Sequence, residues 1–191
     1  MDCLSYLSSQ YELVGGFDDT SPLWGFYPES LLPGDDIKLT SLFEAALKSG
    51  SSVVSANKQL LARHGEELFS AAEEHGVQLR FEASVCAAIP VVKVLRESMI
   101  ASEVSAVLGI VNGTTNFMLT QMAAGADYAT VLAEAQRLGY AEADPTEDVT
   151  GGDAAAKIAI LASIAFHTEV TIDDVPHEGI DALDALDVGF A

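Results

Sequence analysis

The stretch SSVVSANKQLLARHGEELFSAAEEHGVQLRF (residues 51–81) decides the fold class. It opens with a short apolar run over 51–55, which predicts a strand, and 57–76 follows with the apolar spacing of a helix interrupted once at Gly65. VQLRFEASV (77–85) alternates between apolar and polar residues, as a strand with one solvated face does. Short joints between these segments are typical of a parallel α/β unit, so we predict an α/β fold.

The region before this unit is less regular. LTSLFEAALKSG (39–50) predicts a helix with Thr40 or Ser41 as its N-cap. Further upstream, YELVGGF (11–17) favours a short strand running into a glycine turn, and the proline-rich stretch 18–36 favours a long irregular loop.

The region after the unit is mostly helical in pattern. VSAVLGIVNG (104–113) predicts a strand that ends in a turn, and VTIDDV (170–175) predicts a short strand or a turn. Periodic apolar residues, with glycine, proline or polar residues at the ends, predict helices over 91–99, 114–125, 128–139 and 153–167.

Charge and cysteine content narrow the class of protein. The 191 residues carry a formal net charge of -20 with only 9 Lys and Arg, a balance that repels nucleic acid and anionic membranes and excludes both as partners. Cys3 and Cys86 have no metal-binding spacing, so we expect free thiols in a reducing compartment. The N-terminus lacks the pattern of a signal peptide and no segment has the length of a membrane span, which together predict a cytoplasmic protein.

The stretch GYAEADPTEDVTGGDAAAK (139–157) concentrates negative charge and then ends on one cation, Lys157. Thr150 and Asp153 have the spacing of a capping box at the start of the following helix. Asp153 and Lys157 stand four residues apart, so they share one face of that helix. Lys157 is also the only charged residue in an otherwise apolar run.

Three interpretations of this stretch remain open on spacing alone. The first is an ordinary surface ion pair behind a solvated acidic loop. The second is a lysine at the wall of a pocket whose carboxylates receive a cationic ligand, because a lysine on a buried helix needs a partner. The third is a calcium loop, and the spacing of the acidic residues does not match that motif.

Three further motifs each have a functional and a structural interpretation. Lys58 follows a strand, at the edge where open α/β sheets bind ligands, or it is an ordinary surface lysine. FEASVCAAIP (81–90) places small residues behind Glu82, either to aim carbonyl oxygens at a hard cation or to form a tight strand-to-helix turn. NGTTN (112–116) either holds an anion or caps a helix.

The order of these motifs resembles that of one enzyme family. SVVSANKQLLARHG, RFEASVCAAIPVVKVLRES, LGIVNGTTNFMLTQM, EAQRLGYAEADPTEDVTGGDAAAKIAILASIAFH and VTIDDVPHEGI follow one another as in homoserine dehydrogenase, over roughly residues 39–181. The resemblance implies reversible, NAD- or NADP-dependent interconversion of L-homoserine and L-aspartate 4-semialdehyde, on the route to threonine, methionine and isoleucine.

The resemblance also implies roles for individual residues. Lys157 matches the catalytic lysine that moves a proton to or from the substrate oxygen, and Asp148 matches a further acidic residue that lines the site. By the same resemblance, Glu142 and Asp153 bind the substrate. Lys58 and Gly139 would lie near the cofactor.

A monovalent cation, usually taken as sodium, is implied as well. Its ligands would be oxygens, mostly backbone, of Glu82, Val85, Ala87 and Ile89. Family members pair through a sheet, so the resemblance implies a homodimer.

The chain departs from the family at both ends. The G-x-G-x-x-G fingerprint is absent, and the C-terminal strands of the family are missing. We therefore expect a remnant of a Rossmann-type parallel sheet (residues 1–60, a partial dinucleotide-binding domain). An α+β substrate domain (61–191) with a mixed sheet covered by helices should follow. The alternative function is that of an inactive homologue that only binds substrate or supports oligomerisation.

Overall fold

The computed structural model describes residues 35–183 and 185–190. The strand predicted over 11–17 and most of the irregular loop predicted over 18–36 lie outside the described residues. The chain divides into two compact units, the first ending at Pro90 and the second beginning at Val91.

The described part of the first unit alternates helices and short strands. In chain order its elements are α1 (Asp35–Lys48), β1 (Val53–Val54), α2 (Lys58–Glu74), β2 (Leu79–Arg80) and α3 (Ala83–Cys86).

Strands β1 and β2 pair in parallel, with Val53 opposite Leu79 and Val54 opposite Arg80. Helix α2 connects them, as a parallel pair requires, because the chain must cross over before it can run in the same direction again. This strand–helix–strand unit confirms the predicted α/β class.

Helix α2 supplies most of the buried apolar side chains in the described part of this unit. Asn57 caps the helix by accepting from the backbone N–H of Leu60, and the apolar face then places Leu60 and Leu68 entirely out of solvent. The helix is kinked at His64, beside Gly65, where the sequence predicts an interruption.

Two local predictions for this unit are wrong. Helix α1 begins at Asp35, so Thr40 is a buried residue inside the helix and not its N-cap, because the helix extends upstream of its apolar stripe. The strand predicted over 77–85 ends at Arg80, and Ala83–Cys86 is a helical turn. The small residues after Glu82 favour that turn over an extended edge.

The described part of the second unit is helical. Its elements are α4 (Val91–Lys93), a π-helical turn (Val94–Ser98), α5 (Gly113–Ala123), α6 (Tyr128–Leu138), α7 (Thr146–Val149), α8 (Gly152–Phe166), a 3₁₀ turn (Ile172–Asp174) and α9 (Ala185–Phe190). The four helices predicted from the sequence are thus confirmed within one or two residues at most ends.

Helices α5 and α6 pack into one apolar cluster with the turns that follow them. Asn112 caps α5, Asp127 caps α6, and Gly139 ends α6 in the left-handed region with φ 79°. The buried members of the cluster are Met118, Met122, Val131, Ala135, Ala141, Val149 and Ile180. Because α7 ends at Val149, this core fixes the chain immediately before α8.

The strand predicted over 104–113 is not formed. Residues 103–112 have no regular secondary structure, and Leu108 and Ile110 are 94% and 75% exposed. A strand needs a hydrogen-bonded neighbour, and among residues 91–183 and 185–190 none is a strand. The mixed sheet expected in this unit is therefore not found in the described part of the chain.

The segment VTIDDV forms a turn, one of its two predicted alternatives. Thr171 and Asp174 form a reciprocal capping box around the 3₁₀ turn. Among the described residues, no helix combines the length and the apolar character needed to cross a membrane.

Candidate active site

The site begins at the junction of α7 and α8. Gly151 is the N-cap of α8 and adopts φ 89°, a left-handed conformation that favours glycine. The capping box predicted for Thr150 and Asp153 is wrong, because Thr150 ends α7 and donates its hydroxyl to the Thr146 carbonyl. Asp153 is consequently available for other partners.

Asp153 and Lys157 form a desolvated ion pair on α8. The Nζ of Lys157 lies 2.7 Å from Oδ2 of Asp153, and the two side chains are 16% exposed for the lysine and 5% exposed for the aspartate. A second acceptor, the backbone carbonyl of Val111, lies 2.8 Å from the same Nζ. The interpretation of this pair as an ordinary surface ion pair is therefore wrong.

Asn112 connects this pair to Asp148. Its Nδ2 donates to Oδ1 of Asp148 over 2.6 Å and to Oδ2 of Asp153 over 2.8 Å. The same Asp153 oxygen thus accepts from both Asn112 and Lys157. Two carboxylates that would repel one another are held on either side of one amide nitrogen.

The orientation of this amide follows from its partners. The Oδ1 of Asn112 accepts from the backbone N–H of Thr115 over 2.8 Å and from the Thr115 hydroxyl over 2.9 Å. A backbone N–H can only donate and an ionised carboxylate can only accept, so only one placement of oxygen and nitrogen satisfies both sides. Every donor and acceptor of this buried side chain is then used.

The structure thus brings three of the four predicted substrate-site residues into one hydrogen-bonded network. Asp148 is half-buried on α7, and Asp153 and Lys157 follow on α8. Glu142 lies with an exposed side chain in the loop between α6 and α7, where Gln136 donates to its backbone carbonyl. Among the described residues, no group of three acidic, His or Cys side chains is arranged as a metal site, so the calcium alternative has no support.

The two residues predicted near a cofactor lie in different units. Lys58 is the first residue of α2 and follows the carboxyl end of β1, where parallel sheets bind ligands. This position at a helix N-terminus suits the anionic groups of a dinucleotide. Gly139 ends α6, directly before the loop that carries Glu142.

The residues predicted to hold a monovalent cation lie in α3 or directly beside it. Glu82 precedes that helical turn and Val85 is buried within it. At Ala87 the backbone reverses, with φ 49° and ψ −113°, and Ile89 lies beyond it with a 66% exposed side chain. One carboxylate with backbone carbonyls is a donor set that hard cations accept.

Sequence patterns did not identify Asn112 as part of this site. The NGTTN motif is open to interpretation as a helix cap, and Asn112 does cap α5. Its contacts with Asp148 and Asp153 cross 36 and 41 residues of chain, so no local spacing could indicate them. The available signal was the choice of asparagine, whose amide donates while its oxygen caps.

Two family models match this chain. The model for homoserine dehydrogenase matches residues 90–191, and the model for the NAD-binding domain of homoserine dehydrogenase matches residues 36–82. The domain boundary predicted at residue 60 falls within the second match and stays a prediction.

Curated relatives agree with these matches. The homoserine dehydrogenase of Corynebacterium glutamicum is 63% identical over 148 residues, which cover 77% of this chain and 33% of the relative. That of Mycobacterium tuberculosis is 59% identical over 147 residues, covering 76% of this chain and 33% of the relative. The chain therefore spans about a third of the length of the curated relatives it matches.

Solved structures with the same fold carry the same name. A homoserine dehydrogenase from Thiobacillus denitrificans superposes with a TM-score of 0.76 at 46% identity, covering 80% of this chain and 36% of that one. A hyperthermophilic archaeal homoserine dehydrogenase in complex with NADPH superposes with a TM-score of 0.69 at 32% identity, covering 78% and 46%.

A parallel strand–helix–strand unit matched to the NAD-binding domain of a dehydrogenase, followed by a unit matched to homoserine dehydrogenase, places the chain in the fold class of the dinucleotide-linked α/β dehydrogenases. Within that class, the chain belongs to the homoserine dehydrogenase family.

Proposed function

We propose that this chain carries the substrate site of a homoserine dehydrogenase and catalyses the NAD(P)-dependent interconversion of L-homoserine and L-aspartate 4-semialdehyde. The observation that carries the proposal is the position of Lys157, whose ammonium is mostly desolvated and fixed by Asp153 and the Val111 carbonyl. Family membership supports the same reaction.

Lys157 is suited to proton transfer at the substrate oxygen. An ammonium has three N–H donors, and the Asp153 oxygen and the Val111 carbonyl take two of them. The third N–H can be donated to the aldehyde oxygen of the semialdehyde and passed to it as the alcohol forms. In the opposite direction the neutral amine takes the hydroxyl proton of homoserine. A fixed donor stabilises the developing alkoxide without reorganising first.

The carboxylates of the site carry the charge opposite to that of the substrate's amino group. Both substrate and product carry an ammonium, and Glu142 and Asp153 are the acidic residues that we assign to its binding, while Asp148 lines the catalytic site with Lys157. Asp148 and Asp153 are already fixed by Asn112. Glu142, on the exposed loop after α6, would then approach the substrate from its solvent side.

The cofactor and cation assignments belong to the same proposal. Lys58 at the start of α2, and Gly139 at the end of α6, would bind the dinucleotide, which supplies the hydride chemistry when bound. Glu82, Val85, Ala87 and Ile89 would hold a sodium ion through one carboxylate and backbone oxygens.

The assembly and domain division are also proposed. A homodimer would cover the exposed apolar segment around Leu108 and Ile110, which no described residue covers with a strand. Residues 1–60 would belong to the dinucleotide-binding domain and 61–191 to the substrate domain. The free thiol of Cys86 is consistent with a cytoplasmic location, in the pathway to threonine, methionine and isoleucine.

Turnover by the purified 191-residue chain tests the proposed reaction. NADPH or NADH oxidation would be followed by absorbance with L-aspartate 4-semialdehyde, for the unchanged chain, for Lys157→Ala and for Lys93→Ala. Turnover that survives Lys93→Ala and disappears in Lys157→Ala is the expected result. Absence of turnover, together with no binding of L-homoserine by calorimetry, would reject both the reaction and the substrate site.

A further inference from the structure

We infer that Asn112 is the positioning residue of this site. Its amide group donates to both Asp148 and Asp153, and it thereby holds Asp153 in place to pair with Lys157. The inference depends on the proposed function only for its consequence in substrate binding. The contacts of Asn112 themselves are independent of any ligand.

The burial of Asn112 dictates how its polar atoms are used. Asn112 is 7% exposed, so each of its polar atoms needs a protein partner. A cap alone would need only the side-chain oxygen, which accepts from Thr115. The amide nitrogen is the part that a cap does not require, and both of its protons go to carboxylates of the site.

The amide group of Asn112 also lies between two like charges. Asp148 and Asp153 both lie within hydrogen-bonding distance of one nitrogen, and Lys157 pairs with only one of them. Without the amide donors, the two carboxylates would repel one another, and Asp153 would lose the hydrogen bond from Asn112. The carboxylate that orients Lys157 would then be held less firmly.

One substitution separates the two roles of Asn112. Serine caps helices about as well as asparagine but has no amide with which to bridge two carboxylates. Asn112→Ser therefore keeps the acceptor for Thr115 and removes the bridge. Asp127→Ser is the matched control, because Asp127 caps the neighbouring helix through Thr130 in the same way and is exposed.

The readout is the mobility of the Lys157 ammonium in the full chain. Nitrogen-15 NMR measures how fast its protons exchange with water, with Lys157→Arg used to assign the signal. We expect exchange in Asn112→Ser to rise roughly fivefold or more, the factor that follows from losing a net hydrogen bond. Asp127→Ser should leave the exchange rate unchanged, because its cap touches no carboxylate of the site.

Binding of L-homoserine, measured by calorimetry on the same proteins, reports the functional consequence. Asn112→Ser should weaken it roughly tenfold, since the charge-assisted bonds that fix two carboxylates are lost. If the unchanged chain binds no homoserine while the Lys157 exchange still rises, the proposed function fails and the positioning role stands.

Two results would overturn the inference. One is an unchanged exchange rate in folded Asn112→Ser, and the other is an equal rise in Asp127→Ser, which would indicate general loosening. If Asn112→Ser does not fold, Asn112→Asp decides by the same criterion. That variant keeps an oxygen that can accept from Thr115 and removes the amide donors to Asp148 and Asp153.

Discussion

The ammonium of Lys157 and the carboxylate of Asp153 lie 2.7 Å apart across one turn of α8, almost entirely out of solvent. Lys48 and Glu44 on α1 form a pair with the same four-residue spacing, with side chains that are 55% and 30% exposed. The two pairs share their chemistry and differ in solvation. Solvation should therefore decide what each contributes to stability.

Removing the lysine from the desolvated pair should destabilise the fold. Lys157→Met leaves Asp153 as a buried carboxylate without its cation, and we expect the free energy of unfolding to fall by about 3 kcal/mol. Urea denaturation followed by circular dichroism measures the change. The hydrogen bond from Asn112 to Asp153 remains in this variant, which limits the loss.

Lys48→Met is the matched control for that prediction. An exposed pair in water contributes little, so its free energy of unfolding should stay within about 0.5 kcal/mol of the original. Equal losses of unfolding free energy in Lys157→Met and Lys48→Met would contradict the prediction that desolvation makes the Lys157 pair more important for stability. The double variant Lys157→Met with Asp153→Asn should recover part of the stability that Lys157→Met loses, because the buried charge is then removed as well.

The junction before α8 should tolerate no side chain at Gly151. A Cβ there would lie 2.8 Å from the backbone oxygen of Glu178, and the residue also adopts φ 89°. We expect Gly151→Ala to lower the free energy of unfolding by about 3 kcal/mol, from left-handed strain and overpacking together. Thermal and urea unfolding both measure it.

Gly125→Ala separates the two causes. Gly125 has φ 97°, but no atom lies within 4 Å of the position that a Cβ would occupy. Only the backbone strain therefore applies there, about 1 to 2 kcal/mol. A loss at Gly151 no larger than at Gly125 would mean that the segment around Glu178 moves aside at no cost.

Local signals in the sequence predict most helices of this chain. The ends of α5 and α6 follow from an asparagine or aspartate cap and from glycines that take positive φ. These interactions join residues within four positions of one another. A single sequence therefore contains all the information that they need.

Non-local interactions account for some of the predictions that failed. Whether VSAVLGIVNG becomes a strand depends on a neighbouring strand, and no described residue of that unit supplies one. The link from Asn112 to Asp148 likewise crosses 36 residues. The failed capping box at Thr150 has a local cause. Thr150 and Gly151 are neighbouring candidates for the N-cap of α8, and Gly151, with its left-handed backbone, is the residue that caps the helix. The substrate-site residues themselves came from the family resemblance, not from spacing.

The pH dependence of stability should change when Thr130 loses its hydroxyl. The Thr130 hydroxyl bonded to Asp127, together with the Thr130 backbone N–H, lowers the pKa of the Asp127 carboxyl below its ordinary value of 3.8. A lowered folded-state pKa adds stability above the unfolded value and loses it as pH falls through the folded value. In Thr130→Val the pKa of Asp127 should rise towards 3.8, as carbon-13 NMR titration can measure.

The stability difference between Thr130→Val and the original chain should thus be larger at pH 7 than in acid, shrinking below about pH 4. Thr120→Val is the control, since that exposed hydroxyl donates to the Asn116 backbone carbonyl and touches no carboxylate. Its effect on unfolding should not vary with pH. A pH-independent effect of Thr130→Val would contradict the hydrogen bond to Asp127 as the cause.

The exposed segment 103–112 should control self-association. Leu108 is 94% exposed and Ile110 is 75% exposed, and a homodimer that pairs these segments would bury both side chains and supply the missing strand partner. Leu108→Asp places like charges opposite one another in such a pair. We expect it to shift sedimentation velocity from dimer to monomer at micromolar concentration while leaving circular dichroism unchanged, because the side chain contacts little in the single chain.

Leu42→Asp, on α1 in the first unit, is the control at another exposed leucine and should leave the dimer intact. A chain that is monomeric before any substitution, or a dimer that survives Leu108→Asp, would rule out this segment as the interface.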